Sequence, residues 1–241
     1  MLRTLILFLL SLCFSSVLPA QPDETNSTPN FFFQKPVEWY FKTLAGNARL
    51  YNGSEYVTRD PNIAGFPFFG SDTMQKATID YDGIVYYNIP IWYDLVSDDV
   101  IIEDYHRKYY ITLVKEKVNR FLINDHEFLR LAPDSSDLSV ERGFYERIYK
   151  GNVSAFAKRT KGIGYTTGSE KVNYAYSAKN SFFILKDDGW FRINSKSSLI
   201  EACGSKANDL RQFYRVNHLN FKKDPERVLL KVVAYYDQQK K

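Results

Sequence analysis

The feature that most restricts the fold of this chain is the spacing of tight-turn dipeptides along residues 37–193. Asn52-Gly53, Asp82-Gly83 and Asp188-Gly189 recur between runs rich in aromatic and β-branched residues. A two-residue hairpin turn needs φ > 0 at both central positions, which glycine takes freely and Asn or Asp tolerate. Asn124-Asp125 and Gly151-Asn152 are weaker forms of the same signal. Runs at 76–81 and 84–93 flank Asp82-Gly83. Those at 109–114 and 117–123 lead across Asn124-Asp125 to 126–131. Runs at 144–150 and 153–161 flank Gly151, and runs at 181–186 and 189–193 flank Asp187-Asp188. Short, regularly punctuated strands predict an antiparallel meander folded as a curved sheet, sandwich or open barrel. Pro90 cannot donate to a ladder, so its run is expected at an edge or a bulge.

After residue 193 the period changes. Asn194 or Ser195 is placed to cap a short helix that stops at Gly204. Ser205 is placed to cap a second helix, with Leu210, Phe213 and Tyr214 on one face. Asp224-Pro225-Glu226 then combines an N-cap, a proline at the first helical position and an acid in the first turn. Val228, Leu229, Val232, Val233 and Tyr236 follow at helical spacing. Three such short helices cannot form much of a core alone, so they are expected to pack on the sheet. The fold class predicted is α+β, mostly β. Its domain plan is a β domain over 37–193 and a helical subdomain over 194–241, preceded by a leader over 21–36.

Residues 1–20 read as a cleavable export signal. Arg3 is followed by an apolar run from Leu5 to Leu12 and by small residues ending at Ala20. The run is shorter than the roughly 20 apolar residues of a spanning helix. Leu12 before Cys13 is a poor setting for lipid attachment. Cleavage would leave Cys203 as the one cysteine, so no internal disulfide is expected and burial as a small hydrophobe is the expected role. It would also remove one of 32 basic residues, Arg3, against 28 acidic ones, leaving the chain mildly basic. These charges are dispersed, which argues against a nucleic-acid partner.

Chemistry-bearing motifs are scarce. His106, His126 and His218 are the only histidines, and none stands at metal-ligand spacing from another. No G-x-S-x-G elbow occurs, and the Thr167-Gly168-Ser169-Glu170 stretch reads as a polar loop. Cys203, His218 and Asp209 are not brought together by anything in the sequence. The carboxylate pairs Asp80/Asp82, Asp98-Asp99 and Asp187-Asp188 read as strand ends and turns. No cofactor or metal is expected.

Aromatic residues are the unusual component: 18 Tyr, 18 Phe and 3 Trp make up 16% of the chain. Neighbours in a strand point to opposite faces, so pairs such as Tyr86-Tyr87 send some rings outward. Most are expected to stiffen the sheet by cross-strand pairing. The best binding candidates are Tyr87, Trp92, Tyr110 and Trp190. A second candidate surface is basic, with Arg147, Lys150, Lys158, Arg159 and Lys161 on the predicted hairpin around Gly151. It would suit an anionic glycan or lipid headgroup, although edge lysines also serve to block aggregation.

Several phrases stand together in the chain: LYNGSEY at 50–56, YDG at 81–83, IWYDL at 91–95, GFYE at 143–146 and KDDGWF at 186–191. GSK at 204–206, NHLNF at 217–221 and YYD at 235–237 complete the set. As a set they resemble secreted proteins of unknown function from bacteria of the Bacteroidota type. The resemblance implies a periplasmic or envelope location and supplies no activity or ligand. It also makes the glycosylation sequons at Asn26, Asn52 and Asn152 irrelevant. The expectation is an exported, uncharacterised envelope protein with no transmembrane span after signal cleavage. It binds an envelope ligand (glycan, lipid) or a protein partner through an aromatic-rich β surface, without catalysis. A hydrolase acting on an envelope glycan or peptide, and a structural or assembly factor, are the alternatives.

Overall fold

The computed structural model describes residues 49–132, 140–167, 172–187, 189–204 and 207–239. The expected export signal, the leader, the Phe31-Phe32-Phe33 cluster and Trp39-Tyr40 lie outside the described residues, as do Asp188 and the Ser205 cap. Eleven strands are present among the described residues. In chain order the first six are β1 (Gly53–Glu55), β2 (Gln75–Tyr81), β3 (Ile84–Asp94), β4 (Asp99–Glu103), β5 (Tyr110–Leu113) and β6 (Val118–Ile123). β7 (His126–Leu131), β8 (Gly143–Tyr149), β9 (Ser154–Thr167), β10 (Val172–Lys186) and β11 (Gly189–Ile193) follow. Helices α1 (Lys196–Cys203), α2 (Ala207–Val216) and α3 (Pro225–Gln238) close the chain. This is the α+β, mostly β architecture that the turn spacing predicts. The strands form one open antiparallel sheet in the order β1-β5-β4-β3-β2-β6-β7-β8-β9-β10-β11.

That order forces curvature. Three strands stand between β5 and β6, a separation of about 19 Å in a flat sheet. Only residues 114–117 connect them, and five steps of extended chain reach about 18 Å at most. The sheet therefore curls, and the inner faces of β2 to β8 enclose one core. Ile79, Tyr81, Ile91, Tyr93, Val100, Ile102, Ile111, Phe121, Phe128 and Phe144 are all buried in it. Its aromatic centre is Tyr93, whose ring meets Phe121, Phe128 and Phe144 edge-on at centroid distances of 5.1, 4.9 and 5.9 Å. Tyr81, Tyr86, Tyr93, Phe121, Phe128 and Phe144 are the strand aromatics buried in this core.

β3 bends to make the curl. Its first half pairs with β2 and its second half with β4, and a bulge separates Ala77 from Ile79 where Asn88 takes φ 57. Pro90 sits in this bend, before the β4 ladder begins at Ile91. Asp82 and Gly83 have φ 53 and 77, as a tight hairpin turn requires.

A second core lies between β9–β11 and the helices. Small residues Ala155 and Ala157 let the helices approach, and Leu199, Leu210, Val228, Leu229, Val232 and Val233 fill the space. Ser195 caps α1: its hydroxyl accepts from Ser198 N, while the Ser198 hydroxyl accepts from Ser195 N. Asp224 caps α3 by accepting from Arg227 N, with Pro225 in the first turn. Cys203 is buried here. On the opposite face of β8–β11, Val140, Tyr145, Phe156 and Phe183 make a third cluster with Trp190 against it. Among the described residues, no helix is long and apolar enough to cross a membrane.

Three sequence expectations need correction. Asn52-Gly53 is not a hairpin turn. Asn52 N closes a 3-10 turn onto Arg49 O, and Gly53 begins a strand that pairs with β5. A Cβ at Gly53 would lie 2.2 Å from Thr112 O, so the glycine serves close approach. Asp99–Glu103, which has no turn dipeptide to announce it, forms the additional strand β4. The runs expected at 153–161 and 181–186 extend into the much longer β9 and β10. Their outer parts, 162–167 and 172–180, form a projecting arm in which every residue except Tyr176 is exposed.

Candidate binding surface

Trp92 and Tyr110 are brought together. Both point outward from the curled sheet, since their neighbours Ile91, Tyr93 and Ile111 face the core. Their ring centroids are 4.7 Å apart. Phe68 lies flat on Trp92 at 4.4 Å with 4° between the planes. Trp92 Nε1 donates to Asp72 O at 2.9 Å, which fixes the indole.

Phe68 belongs to a strap, residues 56–69, that crosses from the β1 edge toward the arm. Irregular chain on a surface needs partners for its polar groups, and a buried carboxylate supplies many of them. Asp94 ends β3 and is fully buried. Its Oδ1 accepts from Val96 N and Ser97 N at 2.8 and 3.2 Å. Its Oδ2 accepts from Tyr56 Oη at 2.9 Å and from Arg59 Nη2 and Nε at 3.0 and 3.3 Å. Burial, then donation to this carboxylate, holds the Tyr56 hydroxyl well above its ordinary pKa. Lys161 pins the far end of the strap by donating to Phe66 O and Phe68 O, both at 2.8 Å, with its ammonium 4.1 Å from the Phe66 ring centroid. Burial lowers its pKa, against the opposing pull of Asp94. Ala64 adds a single parallel bridge to β10: Ala64 N donates to Tyr174 O, and Tyr176 N donates to Ala64 O.

Between strap and sheet lies a shallow depression of about 200 Å³, with Tyr56, Arg59, Phe66, Phe68, Trp92 and Tyr176 among its lining residues. Its rim charges are engaged, Arg59 with Asp94 and Asp60 with Asn62. Tyr176 continues the surface onto the arm. Alternate residues of a strand share a face, so Ile163, Tyr165 and Thr167 lie beside Val172, Tyr174 and Tyr176. The Tyr165 and Tyr174 centroids are 6.5 Å apart.

The other two aromatic candidates lie elsewhere. Tyr87 stands on the first half of β3, across the Asn88 bulge from Trp92. Trp190 packs on Phe156 at 5.2 Å in the third cluster.

The basic candidates do not form a solvent-facing patch, because most are tied to internal carboxylates. Arg147 bonds Glu127. Lys158 Nζ lies 2.8 Å from Asp98 Oδ1, and burial lowers its pKa although Asp98 opposes the shift. Arg159 is 8% exposed; its Nε donates to Glu146 Oε2 at 2.6 Å and its Nη2 lies 2.7 Å from Glu226 Oε2 on α3. Lys150 is exposed at the β8–β9 turn. His126, whose side chain is 44% exposed, has Nδ1 2.5 Å from Glu146 Oε1. Arg159 thus stands between the carboxylates of Glu146 and Glu226. They do not face each other across an open cleft, as glycoside hydrolysis requires. Among the described residues, no group of three or more His, Cys, Asp or Glu is placed to hold a metal ion.

Tyr56, Arg59, Phe68 and the arm tyrosines were not singled out from the sequence. The arm had a readable signal, since Ile163-Gly164-Tyr165 and Tyr174-Ala175-Tyr176 alternate large and small residues with a period of two. The strap had none. Comparison with known protein families, with curated proteins and with solved structures finds no match.

Proposed function

We propose that this chain is an exported envelope protein that works by binding. Its contact surface is the Trp92–Phe68 depression with Tyr110 and Tyr176, and its partner is a segment of another protein presenting one bulky apolar side chain. The observation that carries this reading is the outward-facing aromatic stack held by a strap whose polar groups are engaged with Asp94 and Lys161. A depression of about 200 Å³ is smaller than the roughly 300–1,000 Å³ of ordinary ligand pockets, and suits an anchoring side chain better than a whole small molecule. Its engaged rim charges favour an apolar anchor over an ionic one. The export signal and the resemblance to secreted Bacteroidota-type proteins support the location.

Selection of a phage-displayed peptide library on the purified protein tests the reading. The expected result is enrichment of peptides sharing one bulky apolar residue, with binding lost in Trp92→Ala and Tyr176→Ala and kept in Trp190→Ala. No enrichment over the Trp92→Ala protein would defeat the proposal. Saturable binding of chitooligosaccharides or of phosphatidylglycerol vesicles in place of peptides would transfer the surface to a glycan or a lipid.

A further inference from the structure

The arm formed by β9 and β10 carries information that the depression does not use. In an antiparallel ribbon, residues alternate between pairs that exchange hydrogen bonds and pairs whose polar groups point outward. Lys161 N donates away from β10, to Leu95 O, and Tyr176 N donates away from β9, to Ala64 O. Positions 163, 165 and 167 of β9 share the parity of Lys161. Their N–H and C=O groups therefore point away from β10, along the outer edge of the arm.

The two edges of the arm differ. The β10 edge is occupied at Tyr174 and Tyr176 by the strap residue Ala64. The β9 edge is paired by β8 only as far as Ala157 and touched by Leu95 at Lys161. Among the described residues, nothing outside β10 bonds β9 from Gly162 to Thr167; Ser177 Oγ of β10 donates to Gly162 O. Every residue of this stretch is exposed, Tyr165 at 70%. Natural edge strands are commonly protected by charge, proline or a bulge. The stretches 162–167 (GIGYTT) and 172–177 (VNYAYS) contain no charged residue and no proline.

We propose that the β9 edge at 162–167 pairs with the same edge of a second copy of this chain. The occupant follows from symmetry and charge. An antiparallel pairing centred on Tyr165 places Ile163 opposite Thr167 in both directions, so each outward-pointing group meets its counterpart about a twofold axis. That axis runs perpendicular to the sheet and keeps the aromatic face of both arms on one side. Tyr174 and Tyr165 of one copy then continue into Tyr165 and Tyr174 of the other as a single row. Copies carrying the same net charge of +4 repel over most of their surface, and the uncharged β9 edge at 162–167 is where they can meet. Because Ala64 occupies the opposite edge, the pairing closes as a dimer and does not propagate as a fibre.

Sedimentation equilibrium of the full chain over a concentration series tests this. Two copies in reversible equilibrium are expected for the unaltered chain, and one copy for Ile163→Lys and Tyr165→Lys, whose exposed side chains leave the fold intact. Trp92→Ala should remain dimeric, which separates this pairing from the partner surface proposed above. The register has its own readout. Directly opposite residues in a hydrogen-bonded antiparallel pair have Cα atoms about 5.5 Å apart, within reach of a disulfide. In a background lacking both native cysteines (Cys13→Ala, Cys203→Ala), Tyr165→Cys should therefore cross-link to a covalent dimer under mild oxidation, and Ile163→Cys should not. A chain that sediments as one copy throughout, or a dimer that survives both lysine substitutions, overturns the proposal.

Discussion

Asp94 shows how one side chain can organise a surface that no local pattern announces. It is buried and charged, a costly combination unless every lone pair is met. Two turn amides, one phenol and one guanidinium meet them. Removing one member of a buried pair leaves the others uncompensated, at a cost of about 3–5 kcal/mol. Asp94→Ala is therefore expected to lower stability by that order in urea denaturation, with Asp94→Asn losing less. A loss under about 1 kcal/mol, the worth of an exposed ion pair, would show that the strap is held by other contacts. The aromatic richness and face alternation of the predicted strands made Trp92 visible as a candidate. They did not reveal that Asp94, two residues on, positions the depression beside it, because the partners Tyr56 and Arg59 lie 38 and 35 positions away.

The elements divide by how local their causes are. The helices were legible because caps act within one turn: Ser195 with Ser198, and Asp224 with Arg227, satisfy amides that the helix leaves unpaired. Ser195→Ala should cost about 1 kcal/mol in urea denaturation, with an unchanged dependence on denaturant. An unaltered midpoint would mean that tertiary packing alone sets the start of α1. Asp82-Gly83 was legible for the same reason, both residues adopting the φ > 0 that the turn demands. Asn52-Gly53 is a similar pair but no hairpin turn. Its glycine answers the approach of Thr112 O, a contact 59 positions away in sequence. β4 has no turn dipeptide to announce it, and the arm runs past the turn signals that bound its inner halves, so turn spacing marks neither.

At the scale of the whole molecule, the expected basic surface gave way to internal ion pairs joining the three structural regions. Lys158 ties β9 to the β3–β4 turn through Asp98, and Arg159 ties β8 and β9 to α3 through Glu146 and Glu226. Burial also leaves a pH signature. It pushes the Cys203 thiol up to about 11, pushes Tyr145 up to about 12, and holds Tyr93 well above its ordinary value. Unfolded thiols and tyrosines ionise near about 8.5 and 10. Groups raised in the folded state contribute stability that is fully present below those values and is lost as pH rises through the folded ones. The melting temperature is expected to hold to about pH 8.5 and to fall steadily above it. Tyrosinate absorbance of the buried fraction should appear only with unfolding. A flat melting temperature up to pH 11 would contradict the burial of these groups. The sequence alone determined what depends on a few neighbouring residues: turn dihedrals, helix caps, strand alternation and the change of period after residue 193. Only the tertiary structure decided which rings face outward together, which cations are neutralised and which strand edge stays open. Those outcomes rest on contacts such as Lys161 to Phe66, 95 positions apart, which form only once the sheet has curled.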